Sequence, residues 1–235
     1  MKKLLAFLCI CMQLVPLWGQ AVSRISNGVK VEAGTVSVEL ECFSSSIIRV
    51  KKYPSGKIPE KQSLSVVKRP ENVKYKLQEK DNRMTLTTSE LSVSLDIAKN
   101  QICFADKNGK VLLAEKPSSV GFTPFDDAGM PTYKVRQSFR LDADESIYGL
   151  GQHQQGRMNQ RNQTMVMRQV NMEIYIPLIH SVKGYALFWD NYSATTFTDN
   201  EQGMTFESEV GDLCDYYFVY GGGADGVVAG LRDLT

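Results

Sequence analysis

Histidine and tryptophan are nearly absent from this chain, at two residues each in 235, and three of its five cysteines are scattered at positions 42, 103 and 214. His153 and His180 therefore have no ligand-type neighbours at metal-binding spacing, and no glycine pair is followed by the Lys-Ser or Lys-Thr of a phosphate loop. No sign of charge prevails. With 27 basic and 26 acidic residues there is no broad positive field to hold nucleic acid or an anionic membrane. One long apolar run occurs, at residues 4–18, and neither an internal repeat nor a low-complexity linker interrupts the rest. What is left is a neutral globular chain suited to a neutral polymer or a small neutral ligand.

Lys2 and Lys3 precede the apolar run, and Gly19-Gln20-Ala21 puts small residues at the two positions that a signal peptidase reads. Residues 1–21 are expected to be a signal peptide cleaved after Ala21, with export to the periplasm or beyond and no membrane association afterwards. An uncleaved anchor is opposed by Pro16 and by a span too short to cross a bilayer. A lipid attachment site needs a small residue before Cys9 or Cys11, where Leu8 and Ile10 stand. Cleavage leaves Cys42, Cys103 and Cys214, an odd number that cannot be fully paired. Cys42 and Cys103 lie in strand-like apolar runs, so the expectation is reduced and buried thiols, with a Cys42–Cys103 disulfide as the alternative that export permits.

The remaining chain, roughly 210 residues, suffices for one large β domain with a substantial core. Val36, Val38, Leu40 and Cys42 alternate with Ser37, Glu39 and Glu41, and Leu91, Val93, Leu95 and Ile97 with Ser92, Ser94 and Asp96, giving each run one wet and one dry face. Further strands are expected at 47–53, 84–88, 102–105, 111–114, 133–141, 174–180, 185–190, 204–209 and 213–220. Asn108-Gly109 and Lys183-Gly184 read as tight turns. Short strands at close spacing make a sandwich. Residues 53–69 and 118–131 read as long surface loops.

At the far end Gly221-Gly222-Gly223 breaks the strand pattern. Val227, Val228, Leu231 and Leu234 then fall at helical spacing behind Asp225 as cap. A helix expected to expose a dry stripe, still running at Thr235, predicts the front part of something longer. The expected division is a signal peptide at 1–21, a sandwich at 22–222, and the start of a connecting helix at 223–235.

The chemistry concentrates between residues 147 and 197, which pack glycines, amides, aromatics and His153 into adjoining segments. Amides donate to and accept from sugar hydroxyls, and aromatic rings cover the C–H faces of a sugar. Plainer roles compete at each position. Gly149 and Gly151 fit a strand bulge, Asp190 and Asn191 a turn, Tyr185, Phe188 and Trp189 a core, and Asn159 and Arg161 a solvated loop.

The succession Tyr148-Gly149-Leu150-Gly151, Asn159-Gln160-Arg161-Asn162, Ile176-Pro177-Leu178, Gly184-Tyr185 with Trp189-Asp190-Asn191, and Gly230-Leu231-Arg232-Asp233-Leu234-Thr235 resembles, in order and spacing over about residues 30 to 235, the N-terminal region of glycoside hydrolase family 31, the α-glucosidases and α-xylosidases. The resemblance implies an all-β, galactose-mutarotase-like supersandwich with a short C-terminal helix leading toward a (β/α)8 barrel. It also implies that the step matched by Leu234-Thr235 leads into the first barrel strand. The two family aspartates, a nucleophile and a general acid/base that retaining chemistry holds about 5–5.5 Å apart, belong to that barrel. A barrel takes about 250 residues and has no room here, so this chain is expected to hold no catalytic residue. No cofactor is implied, since the family chemistry uses carboxylates and water.

The family also sends a loop from the sandwich over the barrel mouth. Carried onto this sequence it is residues 153–164, with His153, Gln154, Arg157, Asn159 and Arg161 as substrate-binding candidates. Arg161 leads because its guanidinium presents a rigid fork to paired hydroxyls. Xylosidase-like members have an aromatic and a glycine around this arginine; Gln160 and Asn162 stand here, removing a ring that would stack on the sugar. The implied partners are an oligosaccharide substrate and the catalytic barrel of the same polypeptide. Two other readings remain open. One is a stand-alone carbohydrate-binding module. The other is an aldose mutarotase, which would shuttle protons through a pair drawn from His153, His180, Glu173 and Glu209.

Overall fold

The computed structural model describes residues 22–235; the leader expected at 1–21 lies outside the described residues. The chain runs through β1 (Val22–Ile25), β2 (Gly28–Ala33), β3 (Val36–Cys42), β4 (Ile47–Pro54), β5 (Lys76–Lys80), β6 (Arg83–Thr87), β7 (Leu91–Asp96), β8 (Gln101–Asp106), β9 (Val111–Glu115), β10 (Gly121–Asp127), β11 (Met130–Arg140), β12 (Ile147–Gln152), β13 (Thr164–Met167), β14 (Ile174–Ser181), β15 (Tyr185–Trp189), β16 (Thr195–Asn200), β17 (Gly203–Gly211), β18 (Cys214–Tyr220) and the helix α1 (Ala224–Leu234). The period-two alternation is kept where it was clearest: Leu91, Val93 and Leu95 of β7 point inward while Ser92, Ser94 and Asp96 face out.

The strands form two sheets. An eight-stranded sheet has the order β1-β2-β3-β4-β18-β15-β14-β12, and a ten-stranded sheet the order β13-β16-β17-β11-β9-β8-β7-β6-β5, with β10 paired to β11 alone. They face each other over a shared apolar core, where Phe104 stacks on Phe218 at 4.1 Å and Trp189 on Phe206 at 5.5 Å across the two layers. Aromatic rings supply much of the buried area that holds such a sandwich together. One feature of the topology positions the site. The consecutive strands β12 and β13 are edges of different sheets. The segment joining them must cross the open side of the sandwich.

A buried polar cluster also spans the layers. The Lys52 ammonium on β4 lies 2.6 Å from the Glu115 carboxylate on β9 and donates to Gln137 and to the Asn100 carbonyl. Glu115 further accepts from the Ile102 amide and the Tyr216 hydroxyl, each at 2.7 Å. Both charges are fully buried, so each needs the other.

The outer face of the eight-stranded sheet carries a second apolar cluster, Phe43, Ile47, Ala186, Phe188, Tyr217 and Val219, which Val227 and Leu234 of α1 cover together with Val66. The amides of Val67 and Lys68 donate to the Leu234 carbonyl, tying the irregular stretch 55–75 to the end of the helix. The helix stripe expected to stay exposed thus finds its partner within the chain, because β15 and β18 present a complementary apolar face; only Val228 of that stripe remains largely exposed. Gly223, without a side-chain hydrogen bond, occupies the N-cap position, and Asp225 sits in the first turn, where its charge faces the positive end of the helix dipole.

Two more expectations change. Residues 118–131, read as a loop, hold β10 and the start of β11, whose hairpin turns at Ala128-Gly129, both at positive φ. Cys103 is only partly buried, since Ile102 and Phe104 take the inward positions of β8. Cys42 and Cys214 are buried, and all three thiols are free.

Candidate functional site

The path toward the site begins with a kink in β12. The pairing of β12 with β14 slips between Gly149 and Gly151, and Gly149, Leu150 and Gly151 all have positive φ. A Cβ on Gly149 would lie 2.3 Å from the Leu178 carbonyl oxygen, and one on Gly151 would lie 1.9 Å from that of Ile174. The glycines therefore allow a bulge in which two backbones touch. The bulge steers the chain off the sheet and into the crossing segment.

That segment divides into a pinned base and an unpinned tip. At the base, the Gln160 amide donates to the Ile147 carbonyl, and Asn159 Oδ1 accepts from the amides of Ile147 and Arg161. Arg161 Nε lies 2.8 Å from Asp199 Oδ2, which also accepts from the Asn162 amide at 2.8 Å. Arg161 Nη1 donates to the carbonyls of Asp142 and Glu145. Asn162 takes a left-handed φ of 57°, a conformation asparagine tolerates better than most residues. In the tip, Gln154, Gln155, Gly156, Arg157 and Met158 are exposed. The tip's contact with the base is through the Arg157 carbonyl, which accepts from the Gln160 amide side chain.

His153 stands where the tip leaves β12. Its ring lies 4.7 Å from that of Tyr175, and both ring nitrogens are screened from solvent without a hydrogen-bond partner. Tyr175 donates to Glu173 at 2.5 Å, a bond that raises its phenol pKa. Gln169 clamps the Tyr175 backbone from both sides, donating to its carbonyl and accepting from its amide.

Tyr175 is also a wall of a groove of about 740 Å³, whose other walls include Pro177, Phe188, Tyr192 and Glu209, with Asp190 among its lining residues. That volume falls in the range of small-ligand sites. Asp190 follows β15 with a fully buried carboxylate, 3.2 Å from the Lys61 ammonium. Lys61 also reaches Asp215 at 2.7 Å, and Asp215 grips Arg49 through two bonds of 2.8 and 2.9 Å. Although burial opposes the Arg49 charge, Asp215 raises its pKa further. Two carboxylates are thus balanced by two cations beneath the groove. Beside it, a shallower depression runs over Gly149, Gly151, Ile174 and Ile176, and both isoleucines are about half exposed (54% and 49%).

Residues 37–197 match the glycosyl hydrolase 31 N-terminal galactose mutarotase-like domain. The chain belongs to glycoside hydrolase family 31. An α-xylosidase of Saccharolobus solfataricus is 31% identical over 212 residues, an alignment covering 86% of this chain and 28% of that protein. Alpha-glucosidase 2 of Bacillus thermoamyloliquefaciens is 26% identical, covering 84% and 26%. Among solved structures, the GH31 α-xylosidase of Xanthomonas citri superposes with a TM-score of 0.69 at 32% identity, covering 76% of this chain and 20% of that one. A Flavobacterium johnsoniae GH31 dextranase, at 23% identity, shares the fold with a TM-score of 0.76 over 92% of this chain and 28% of its own. The chain therefore spans 20–28% of these relatives' length and corresponds to their N-terminal sandwich.

In this family 31 domain the five candidate residues separate. His153, Gln154 and Arg157 belong to the tip side of the segment, and Asn159 and Arg161 to its base. The fork of Arg161, expected to be offered to sugar hydroxyls, is turned into the protein, because a buried carboxylate and two carbonyls outcompete solvent for it. Of the four groups a mutarotase would draw on, His153 and Glu173 both touch Tyr175 and Glu209 lines the same groove, whereas His180 stands apart. His180 faces Tyr148 across the β12–β14 ladder, about 16 Å along β14 from Tyr175 by strand rise, and burial lowers its pKa. Glu173 is engaged by Tyr175, and Glu209 lies 3.9 Å from Arg168 in an exposed pair. Among the described residues no group of three His, Cys, Asp or Glu side chains could hold a metal ion.

Tyr175, Asp190 and Tyr192 were not singled out in the sequence as groove residues. Tyr175 carried a usable signal, lying one residue from the Ile-Pro-Leu step. Asp190 read as the end of a strand and the start of a turn; it lies in the irregular stretch just past β15, and its ionic partner Lys61, 129 positions away, is one that nothing local announces.

Proposed function

We propose that this chain is the exported supporting domain of a retaining α-glycosidase that acts on α-xylosides or α-glucosides, and that its 153–158 tip forms one side of the sugar pocket. The observation that carries the reading is the segment between β12 and β13, fastened at one end and bare at the other, beside a groove walled by Tyr175. Such a design holds polar side chains at a fixed place without using up their hydrogen bonds. Gln154 and Arg157 supply exposed amide and guanidinium donors, while His153, its ring nitrogens screened from solvent, packs against Tyr175 at the root of the tip.

The catalytic barrel is the proposed neighbour of the bare apolar strip at Ile174 and Ile176. Its occupant is expected to cover these side chains and to bring the nucleophile and acid/base carboxylates toward the tip. Binding energy gathered by the tip then positions the sugar for attack.

The test is an assay of two polypeptides on aryl α-xylosides and α-glucosides. A polypeptide that includes the barrel hydrolyses one of them, and residues 22–235 alone hydrolyse neither. Activity in the short chain, or calorimetric heat from xyloglucan or malto-oligosaccharides binding to it with full affinity, would favour a stand-alone module. Export is tested by N-terminal sequencing of the mature protein, which is expected to begin at Val22.

A further inference from the structure

We infer that Arg161 is a positioning residue, the bolt of a latch that ties both sheets to the pocket-forming tip and thereby sets the tip's location. The inference rests on the reading that the 153–158 tip enters the sugar pocket, and it assigns Arg161 a role other than sugar contact.

The latch has three parts. On the ten-stranded sheet, Asp199 of β16 is almost completely buried and directs one carboxylate oxygen to both Arg161 Nε and the Asn162 amide, each at 2.8 Å. The Asp199 amide returns a bond to the Gln163 carbonyl at 2.8 Å, so strand and loop grip each other in both directions. On the eight-stranded sheet, the side chain of Glu145 is fully buried and accepts from Ser181 and Tyr185 at 2.6 Å and from Lys183 at 2.8 Å. It also accepts from the Asp142 amide at 3.1 Å, which closes residues 142–145 into a fixed turn. That turn presents two carbonyls, Asp142 and Glu145, and Arg161 Nη1 meets both.

The geometry suits arginine and no other residue. Reaching a carboxylate from one nitrogen and two carbonyls from another requires the planar, multi-donor guanidinium; a lysine ammonium is a single point and cannot span both. The strand edges give the latch its purpose. With β12 and β13 at the borders of different sheets, no ladder holds the crossing chain in place. Together with the Gln160–Ile147 and Asn162–Asp199 bonds, Arg161 fixes that chain to both sheets four residues after Arg157.

The experiment compares Arg161→Lys, Asp199→Asn and Arg157→Ala in the full-length glycosidase, well below its melting temperature. KM and kcat are measured together with amide hydrogen exchange across residues 153–158. The latch predicts that Arg161→Lys and Asp199→Asn raise KM by between about tenfold and a hundredfold, the upper figure being what a misplacement of around an ångström can cost. Both variants also speed exchange in the tip, while exchange in β7, β15 and β18 stays native. Arg157→Ala raises KM without changing exchange at the base. A raised KM in Arg161→Lys with native tip exchange would overturn the inference in favour of direct sugar contact. If Arg157→Ala raises KM and the two latch variants do not, the latch is overturned while the tip's role stands. If none of the three moves KM, the tip itself does not reach the sugar. Should Arg161→Lys fold poorly, Asp199→Asn alone carries the comparison, because it preserves shape and removes only the charge.

Discussion

The two lysines in the Val50-Lys51-Lys52-Tyr53 run show how one position of register decides a residue's fate. Lys51 faces out and pairs with Glu39 and Glu41, while Lys52 shares the inward parity of Ile48 and Val50 and is sealed between the sheets. The alternation in β4 puts Lys52 on its inward face. Its partner Glu115, 63 residues on, was not legible, since nothing local marks a glutamate as buried. Replacing Lys52 with Met is expected to cost about 3–5 kcal/mol, because it strands the Glu115 charge, and a second change of Glu115 to Leu should restore most of the loss. Urea unfolding of the single and double variants checks both figures. Thiol reactivity separates the cysteines in the same way. Burial raises the Cys42 pKa to about 12 and pushes that of Cys214 well up, so in the folded protein Cys103, the partly exposed thiol, should react first with a disulfide reagent. Equal rates at all three would contradict the packing.

At the scale of elements, the bulge in β12 is the most demanding feature. Gly151 has a φ of +100°, and its Cα position leaves no room for a side chain against the Ile174 carbonyl. Gly151→Ala is expected to lose at least about 2 kcal/mol, from backbone strain together with the clash. Gly34, whose φ is +68° with open space around it, provides the control. Its alanine variant should lose only about 1 kcal/mol. Denaturant midpoints decide the comparison, and similar losses at both sites would show that β12 and β14 can part without harm.

Legibility followed the same physical line. Strands with one dry face, such as β3 and β7, could be read from alternation alone. Strands at 22–25, 28–33, 76–80, 121–127, 164–167 and 195–200 were not expected from the sequence; Lys76–Lys80 and Gly121–Asp127 bury little and are held by pairing, not by apolar contrast, whereas Gly28–Ala33 and Thr195–Asn200 lie inside their sheets and bury alternate residues. Gly149 and Gly151 were readable as a bulge, because only glycine meets that demand. The split of the candidate site into tip and base was hidden. Arg161 looks like a solvent-facing loop residue until Asp199 and the 142–145 turn fold against it, while Asn159 stays exposed and holds the amides of Ile147 and Arg161.

Across the whole molecule, buried phenols and ammonium groups set the response to alkali. Burial first, and then Glu145, raises the Tyr185 pKa well above its usual value, and burial with Glu115 does so for Tyr216. Burial opposes the charge of Lys183, yet Asp142 and Glu145 raise its pKa. The folded form therefore keeps protons that the unfolded chain releases. Their stabilisation is present in full below the ordinary values of about 10. It is lost as pH climbs from there toward the raised folded values. Urea midpoints should begin to fall above about pH 8.5, where the unfolded chain releases the thiol protons that Cys42 and Cys214 keep when buried, and fall more steeply beyond about 10; a midpoint that rises above pH 10 would contradict this picture.

The same large-scale view joins the sandwich to its function. The outer face of the eight-stranded sheet is closed at one end by α1 and the stretch 55–75 and left bare at Ile174 and Ile176, next to the tip. The family places a sandwich like this ahead of a much longer chain, and the exposed strip and the unpinned tip lie on the same side of the domain. The most direct measurement replaces residues 154–158 with a glycine-serine linker in the full-length protein and compares kcat/KM on aryl α-xyloside and α-glucoside. The account predicts a change of about tenfold or more in the ratio between the two sugars, with an unaltered melting temperature. A ratio that stays the same, in an enzyme that folds and turns over normally, would contradict a role for this domain in the sugar pocket.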